Sequence, residues 1–268
     1  MPQLEDFIAL ARAAGREIMA VRLAGFDAET KQDGSIVTIA DQRAEAVIED
    51  GLRRLAPDVP MLGEEACAAG RIPECGDLFF CVDPLDGTRG FAKGGDEFTV
   101  NIALVRNGAP EMGVVFAPAS GELYAGEPGR VLRAYYDPST GAELKPLAPI
   151  RASAPQRPLR VIISDFSGRN ERTAAFIETL GGVPAHASSS IKFCRLAEGA
   201  ADLYPRFGEV SEWDAAAGHA VLSAAGGGIV RLDGTPLRYG NAADAFLIRG
   251  FLAYASEAGK EVAQAALR

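Results

Sequence analysis

Two aspartates three residues apart, in the run Val82-Asp-Pro-Leu-Asp-Gly-Thr-Arg89, are the most chemically pointed feature of the sequence. They stand where a short apolar run, Leu78-Phe-Phe-Cys-Val82, ends. Asp83 and Asp86, with a free carbonyl at Leu85, offer three hard oxygen donors on one tight turn. Mg²⁺ prefers this ligand chemistry and completes its shell with water and substrate phosphate. Gly87 lets a backbone approach a ligand, and with Thr88 it would open a turn or helix whose exposed N–H groups can receive a phosphate. Taken alone, the same residues also describe a plain Asp-Pro turn with a capping aspartate.

Two further acidic sites change that balance. Leu62-Gly-Glu-Glu65 places a carboxylate pair after a short apolar segment, and Glu212-Trp-Asp214 places another at the start of a helix of small residues. A solvated turn or an N-cap would explain either one singly, but not both together with Asp83 and Asp86. Metal ions at such a site clamp the attacking and leaving oxygens of an in-line displacement and make hydroxide available near neutral pH. Phosphoryl transfer needs that positioning and charge neutralisation more than covalent chemistry. No histidine or cysteine is placed as a nucleophile, and Asp83 lacks the Asp-x-Asp spacing of an aspartyl-phosphate enzyme, so water is the better nucleophile.

The rest of the composition narrows the class. The chain has 268 residues, 27 Lys and Arg against 36 Asp and Glu, and a net charge of −9. That balance argues against gripping a nucleic-acid polymer, which needs a basic face. Four cysteines without a CxxC pair, and only two histidines, make a structural zinc site unexpected; free thiols in a reducing compartment fit better. No run is apolar and long enough for a membrane span, and the N-terminal residues do not read as a secretory signal. The expectation is a cytoplasmic protein.

The elements that must position these residues are partly legible. Leu4–Arg22 carries Phe7, Ala11, Ala14, Ile18 and Val21 on one face, and a second helix is expected from about Thr38–Asp41 to Leu55. Strands follow at Phe98–Val105 and Gly113–Pro118, separated by an Asn107-Gly108 turn, then at Leu123–Gly126 and Gly129–Ala134. Pro146, Pro149, Pro155 and Pro158 cluster in one stretch, which reads as a crossover. Beyond it strands (Leu159–Ser164, Ala201–Tyr204, Gly228–Leu232, Phe246–Ala253) alternate with helices (Glu171–Leu180, Ser190–Glu198, Asp214–Ala225). This predicts an α+β N-terminal subdomain, residues 1–147, carrying most of the metal ligands. An α/β C-terminal subdomain, residues 148–268, would carry Asp214 and substrate-binding residues.

Gly63-Glu64-Glu65, Asp83-Pro-Leu-Asp-Gly-Thr88 and Trp213-Asp-Ala-Ala-Ala-Gly218, in this order and spacing, resemble the motifs of the inositol monophosphatase superfamily of Mg²⁺-dependent, Li⁺-sensitive phosphomonoesterases. Val37-Thr-Ile-Ala-Asp41 resembles the first acidic motif of that superfamily. The resemblance implies a layered α-β-α-β-α sandwich with the site between two halves. It implies that Glu64, Asp83, the Leu85 carbonyl, Asp86 and Asp214 hold two or three Mg²⁺ ions. It also implies that Thr88, polarised by Asp41, helps activate the attacking water, which Glu64 touches through metal. Substrate contacts would come from Glu64, Leu85, Asp86, Gly87, Thr88, Ser189, Lys192, Arg206 and Asp214.

Ser188-Ser-Ser-Ile-Lys-Phe-Cys194, Tyr204-Pro-Arg206, Asp96-Glu-Phe-Thr-Val-Asn-Ile102 and Trp213–His219 further resemble the 3′(2′),5′-bisphosphate nucleotidases of the CysQ type. The chain departs from that pattern at Arg89-Gly90, where Lys-Glu is frequent, and at Ser188, where glycine is more usual. A substrate with two phosphates needs cations beyond those at the scissile group, and Lys192 and Arg206 are candidates for the remote one. Lys192 lies one helical turn after Ser189, so its head group and that hydroxyl could converge; the plainer reading is a surface lysine lying over Phe193. Lys31 and Asp33 read as a solvated loop or as part of a loop over a third metal. The resemblance thus implies hydrolysis of adenosine 3′,5′-bisphosphate to AMP and phosphate. Inositol monophosphate, histidinol phosphate and fructose 1,6-bisphosphate are alternative substrates, and a catalytically silent phosphate-binding module is an alternative of another class. It leaves open a homodimer and a peripheral association with the inner membrane.

Overall fold

A computed structural model describes residues 1–31, 34, 36–164 and 170–267. Helix α1 (Leu4–Ala24) buries the predicted stripe of Phe7, Ala11, Ala14, Ile18 and Val21. Two short antiparallel strands, β1 (Ala28–Thr30) and β2 (Ile36–Thr38), lead into helix α2 (Ile39–Leu55). Thr38 and Asp41 cap α2 reciprocally: the Thr38 hydroxyl accepts from Ala40 N, while the Asp41 carboxylate accepts from Thr38 N at 2.8 Å. This cap fixes a buried carboxylate at the start of the helix.

The next stretch builds one sheet. It contains β3 (Met61–Gly63), helix α3 (Glu64–Ala68), β4 (Leu78–Asp86), helix α4 (Thr88–Ala92), β5 (Thr99–Arg106), β6 (Ala109–Ala117), β7 (Glu122–Glu127), β8 (Arg130–Tyr136) and β9 (Glu143–Pro149). The seven strands lie in sequence order and pair antiparallel, except β3 with β4. Asn107 and Gly108, at φ of 50° and 70°, make the predicted two-residue turn between β5 and β6. Pro146 and Pro149, expected in the crossover, belong instead to β9. It is the last strand of the sheet, and an edge strand tolerates residues that cannot donate to a ladder.

The remainder forms β10 (Arg160–Ile163), helix α5 (Glu171–Leu180), β11 (Val183–His186), helix α6 (Ile191–Ala197), β12 (Leu203–Arg206), β13 (Val210–Ser211), helix α7 (Trp213–Ala224), β14 (Gly228–Val230), β15 (Leu247–Ile248), β16 (Phe251–Tyr254) and helix α8 (Glu257–Ala266). A five-stranded sheet has the order β11-β10-β12-β16-β14, with β10 parallel to both neighbours. The single strand expected over Phe246–Ala253 divides in two. Gly250, at φ +90°, separates β16 from β15, which pairs with β13 instead. The strand expected at Ala201–Tyr204 lies two residues later, which puts Arg206 at its end.

Three apolar layers hold these elements together. α1 and α2 pack on one face of the large sheet through Phe80, Val82, Ile102, Val114 and Leu123. The opposite face, with Phe79, Cys81, Ala103, Val105 and Val115, packs on α6 and α7, which in turn meet Ile162, Tyr204, Ile229 and Phe251 of the small sheet. The far face of the small sheet packs on α5 and α8 through Val161, Ile163, Phe176, Leu203 and Ala263. The result is the α-β-α-β-α sandwich. α7 lies close on the large sheet because Ala103, Gly113 and Gly126 are cross-strand neighbours beneath it. A Cβ at Gly113 would come 2.7 Å from the Ala217 carbonyl, and one at Gly126 would come 2.8 Å from Val221 Cα. All four cysteines are free, with Cys81 and Cys194 buried and Cys67 and Cys75 half-buried. Among the described residues no helix is long and apolar enough to cross a membrane.

Candidate metal centre

Residues three apart on a regular strand face opposite sides, yet Asp83 and Asp86 must share one. The ladder between β4 and β5 shows how. Asp83 is opposite Asn101 and Asp86 opposite Thr99, so three steps on one strand match two on the other. The extra residue is a β-bulge, and it brings both aspartates to the face that carries Cys81, Asn101 and Ala103. That is the face against α7. Within the bulge Leu85 N donates to Asp83 Oδ1 at 2.9 Å.

α7 delivers the third carboxylate. Its N-cap is Glu212, and Asp214 in its first turn accepts from Ser211 N at 2.9 Å. Carboxylate oxygens of Asp83, Asp86 and Asp214 all lie within 4.8 Å of one another. Burial raises the pKa of all three, and mutual repulsion adds to it: Glu64, Asp86 and Asp214 act on Asp83, and Asp86 acts on Asp214. A set of acids packed this closely in a cleft calls for a cation among them, and an all-oxygen donor set suits a hard divalent ion. The residues therefore fit a metal.

Glu64 stands at the start of α3, after β3 has delivered it to the edge of this cluster. Lys31 Nζ bridges Glu64 at 3.1 Å and Glu65 at 2.6 Å. Burial opposes the charge on Lys31, but the two carboxylates override it and raise its pKa. Glu64 itself is raised by burial, with Lys31 opposing. Asp33, expected beside Lys31, lies outside the described residues. Behind Glu65, the buried Glu45 accepts from its backbone N–H at 2.9 Å. Glu64 and Asp214 also line a cavity of about 570 Å³ whose apolar wall includes Ile72, Trp213 and Phe246.

Thr88 and Asp41 meet on the other side of the bulge. Thr88 Oγ1 is 2.9 Å from Asp41 Oδ1 and 2.8 Å from the Leu85 carbonyl oxygen. Burial raises the Asp41 pKa, opposed by hydrogen bonds from Thr38 and Thr88. Gly87, at φ +96°, makes the turn into α4, where a Cβ would come 2.6 Å from Ser189 Oγ.

That contact leads to the second half. The Ser189 hydroxyl lies 3.0 Å from each of the Asp86 and Glu97 carbonyl oxygens, so it ties the turn before α6 to the bulge. The expected convergence of Lys192 with this hydroxyl is corrected by the geometry. Lys192 Nζ donates at 2.7 Å to the Ser189 carbonyl, in a turn where Ser189 adopts φ +52°. Nor is Lys192 a surface lysine over Phe193. It is buried, its Nζ lies 5.2 Å from the centroid of the Tyr204 ring, and burial lowers its pKa to about 8 against the pull of Asp86. Arg206 Nη2 donates to Glu209 O, while its buried Nε has no partner among the described residues. α6 itself is anchored to the large sheet by Arg195, which pairs with Glu122 and Glu198 at 2.8 Å each.

Two buried residues at this centre, Asn101 and Ser190, escaped the sequence reading. The only sequence signal for them was their membership of longer motifs.

A profile of the inositol monophosphatase family matches residues 3–264. The chain is 41% identical over 254 residues to the 3′(2′),5′-bisphosphate nucleotidase CysQ of Shigella flexneri, covering 92% of this chain and 98% of that one. Among solved structures it is similar to CysQ from Bacteroides thetaiotaomicron, with 32% identity, a TM-score of 0.75, and coverage of 94% and 96%. It is also similar to an inositol monophosphatase from Anabaena, with 26% identity, a TM-score of 0.73, and coverage of 98% and 94%. With the converging acids of β4 and α7, and a match that runs nearly end to end, the chain belongs to the inositol monophosphatase family.

Proposed function

We propose that this protein is a Mg²⁺-dependent 3′(2′),5′-bisphosphate nucleotidase that hydrolyses adenosine 3′,5′-bisphosphate to AMP and phosphate. The observation that carries the reading is the convergence of Asp83, Asp86 and Asp214 in one cleft, in a chain 41% identical to a CysQ nucleotidase. Water attacks the 3′-phosphorus, the bond from phosphorus to O3′ breaks, and the 3′-oxygen leaves with a proton. Two or three Mg²⁺ ions bound by Glu64, Asp83, the Leu85 carbonyl, Asp86 and Asp214 would neutralise the phosphoryl oxygens and acidify water. Thr88 has one hydroxyl proton and two acceptors beside it. Donating that proton to Asp41 leaves its lone pairs free to accept from the attacking water and aim it. Gly87 and Thr88 would present backbone N–H groups to the scissile phosphate. Lys192 and Arg206 act on Asp86 as the nearby cations, and their charge would hold the 5′-phosphate, with the Ser189 hydroxyl beside them as a further substrate contact.

Phosphate release from a panel of nucleotide, inositol and sugar phosphates, with and without Mg²⁺ and Li⁺, tests the reading. The bisphosphate nucleotide should be fastest, with turnover dependent on Mg²⁺ and inhibited by Li⁺. Faster release from inositol 1-phosphate would overturn the substrate assignment. Lys192→Ala should raise KM for the bisphosphate about tenfold or more, as loss of a charge-assisted contact does, while sparing small monophosphates. An equal loss on every substrate would place Lys192 in the scaffold instead.

A further inference from the structure

Asn101 and Ser190 are both fully buried, and neither has a role in the steps above. Asn101 sits on β5 directly opposite Asp83. Ser190 precedes α6 in the N-cap position, where a serine hydroxyl ordinarily accepts from the first free N–H groups of its helix; here it does not. Its hydroxyl points elsewhere. Ser190 Oγ lies 3.2 Å from Asp86 Oδ2, 3.0 Å from the Asp214 carbonyl oxygen and 3.0 Å from Asn101 Nδ2.

The chemistry of these partners fixes the direction of the chain. A carboxylate and a carbonyl only accept, so the single hydroxyl proton must serve them. The lone pairs of Ser190 are then left to accept from Asn101, which sets the amide with its NH₂ toward the serine. Three elements thereby meet at one oxygen: the sheet through Asn101, the bulge through Asp86, and the first turn of α7 through Asp214.

We propose that Ser190, backed by Asn101, is a positioning residue for the bound cation, holding the Asp86 carboxylate in its ligating orientation and pinning the first turn of α7 beside it. The proposal rests on Asp86 and Asp214 as metal ligands and is independent of which ester is hydrolysed. Hydrogen bonds to ligand carboxylates of this kind are worth about 10- to 100-fold in metal affinity.

The test is Mg²⁺ titration of the purified metal-free protein by calorimetry, with no substrate present, together with thermal melting of the same metal-free samples. Ser190→Ala should weaken Mg²⁺ binding about tenfold or more. Asn101→Ala should weaken it less, because Ser190 can still donate. The double variant should bind no worse than Ser190→Ala alone, since both residues act through one hydroxyl. A Ser190→Ala protein that melts earlier without metal yet binds Mg²⁺ like the wild type would overturn the proposal and leave the serine a packing residue. If Ser190→Ala does not fold, Ser190→Cys, close in size and a weak donor, reads the same quantity: weaker Mg²⁺ binding supports the proposal, and unchanged binding overturns it. A wild-type protein that binds Mg²⁺ but releases no phosphate from the bisphosphate nucleotide would sink the substrate reading alone.

Discussion

Asp83→Asn should lower phosphate release by about a thousandfold while leaving a folded protein. Charge stabilisation by a bound cation is worth several kcal/mol in a phosphoryl transition state, and each 1.4 kcal/mol or so is about tenfold in rate. Asp83 is the most deeply buried of the converging acids, and the amide would withdraw its charge without changing its shape. The local turn should survive, because the asparagine carbonyl can still accept from Leu85 N. Removing one of several repelling charges should also leave the metal-free protein at least as stable as the wild type. The two outcomes are read together, by phosphate release and by melting temperature with and without Mg²⁺. The variant should lose both its activity and most of the stabilisation that Mg²⁺ gives the wild type. Activity within tenfold of the wild type would mean that the measured hydrolysis does not depend on this centre, or belongs to a contaminant.

Gly113→Val should damage stability and metal binding together, although Gly113 touches no ligand. Its Cβ would meet the Ala217 carbonyl at 2.7 Å and Ala220 Cβ at 2.8 Å, and the first of these is helix backbone that cannot rotate away. Overpacking of this kind costs about 1–3 kcal/mol, and more where backbone must shift. Here the backbone that shifts is α7, and Asp214 rides on its first turn. The denaturation midpoint should fall, and the Mg²⁺ concentration for half-maximal activity should rise, in the same variant. A lower midpoint with unchanged Mg²⁺ dependence would show that the helix can lift from the sheet without moving Asp214.

How much of this was legible beforehand differs by kind of information. α1 and α2 were readable because Phe7, Ile18, Ile48 and Leu52 recur at helical spacing, and β5 and β6 because apolar runs flank the Asn107-Gly108 turn. β9 was not, since an exposed edge strand has little apolar alternation to show. Nor was α8, whose buried residues are only Gly259 and Ala263. The acids of the centre were legible as motifs, but not the means of their convergence, which depends on the register of β4 against β5. Ser190 and Asn101 were unreadable for a simpler reason. A serine before a helix and an asparagine in a strand are ordinary, and only the meeting of three distant segments gives them partners. Lys192 was found by type, yet its burial against Tyr204 and its bond to the Ser189 carbonyl depend on β12 packing beside α6, which no composition announces.

The bulge in β4 sets a rule about length as well as about residue type. Deleting Pro84 alone would restore even alternation between the two strands. Asp83 and Asp86 would then stand two residues apart and still share the face against α7, but the turn in which Leu85 N meets Asp83 and the Leu85 carbonyl meets Thr88 would be straightened away. The spacing of this segment should therefore be far less forgiving than the identity of its middle residues. A one-residue deletion there should cost the placement of the Leu85 carbonyl without removing a single acid.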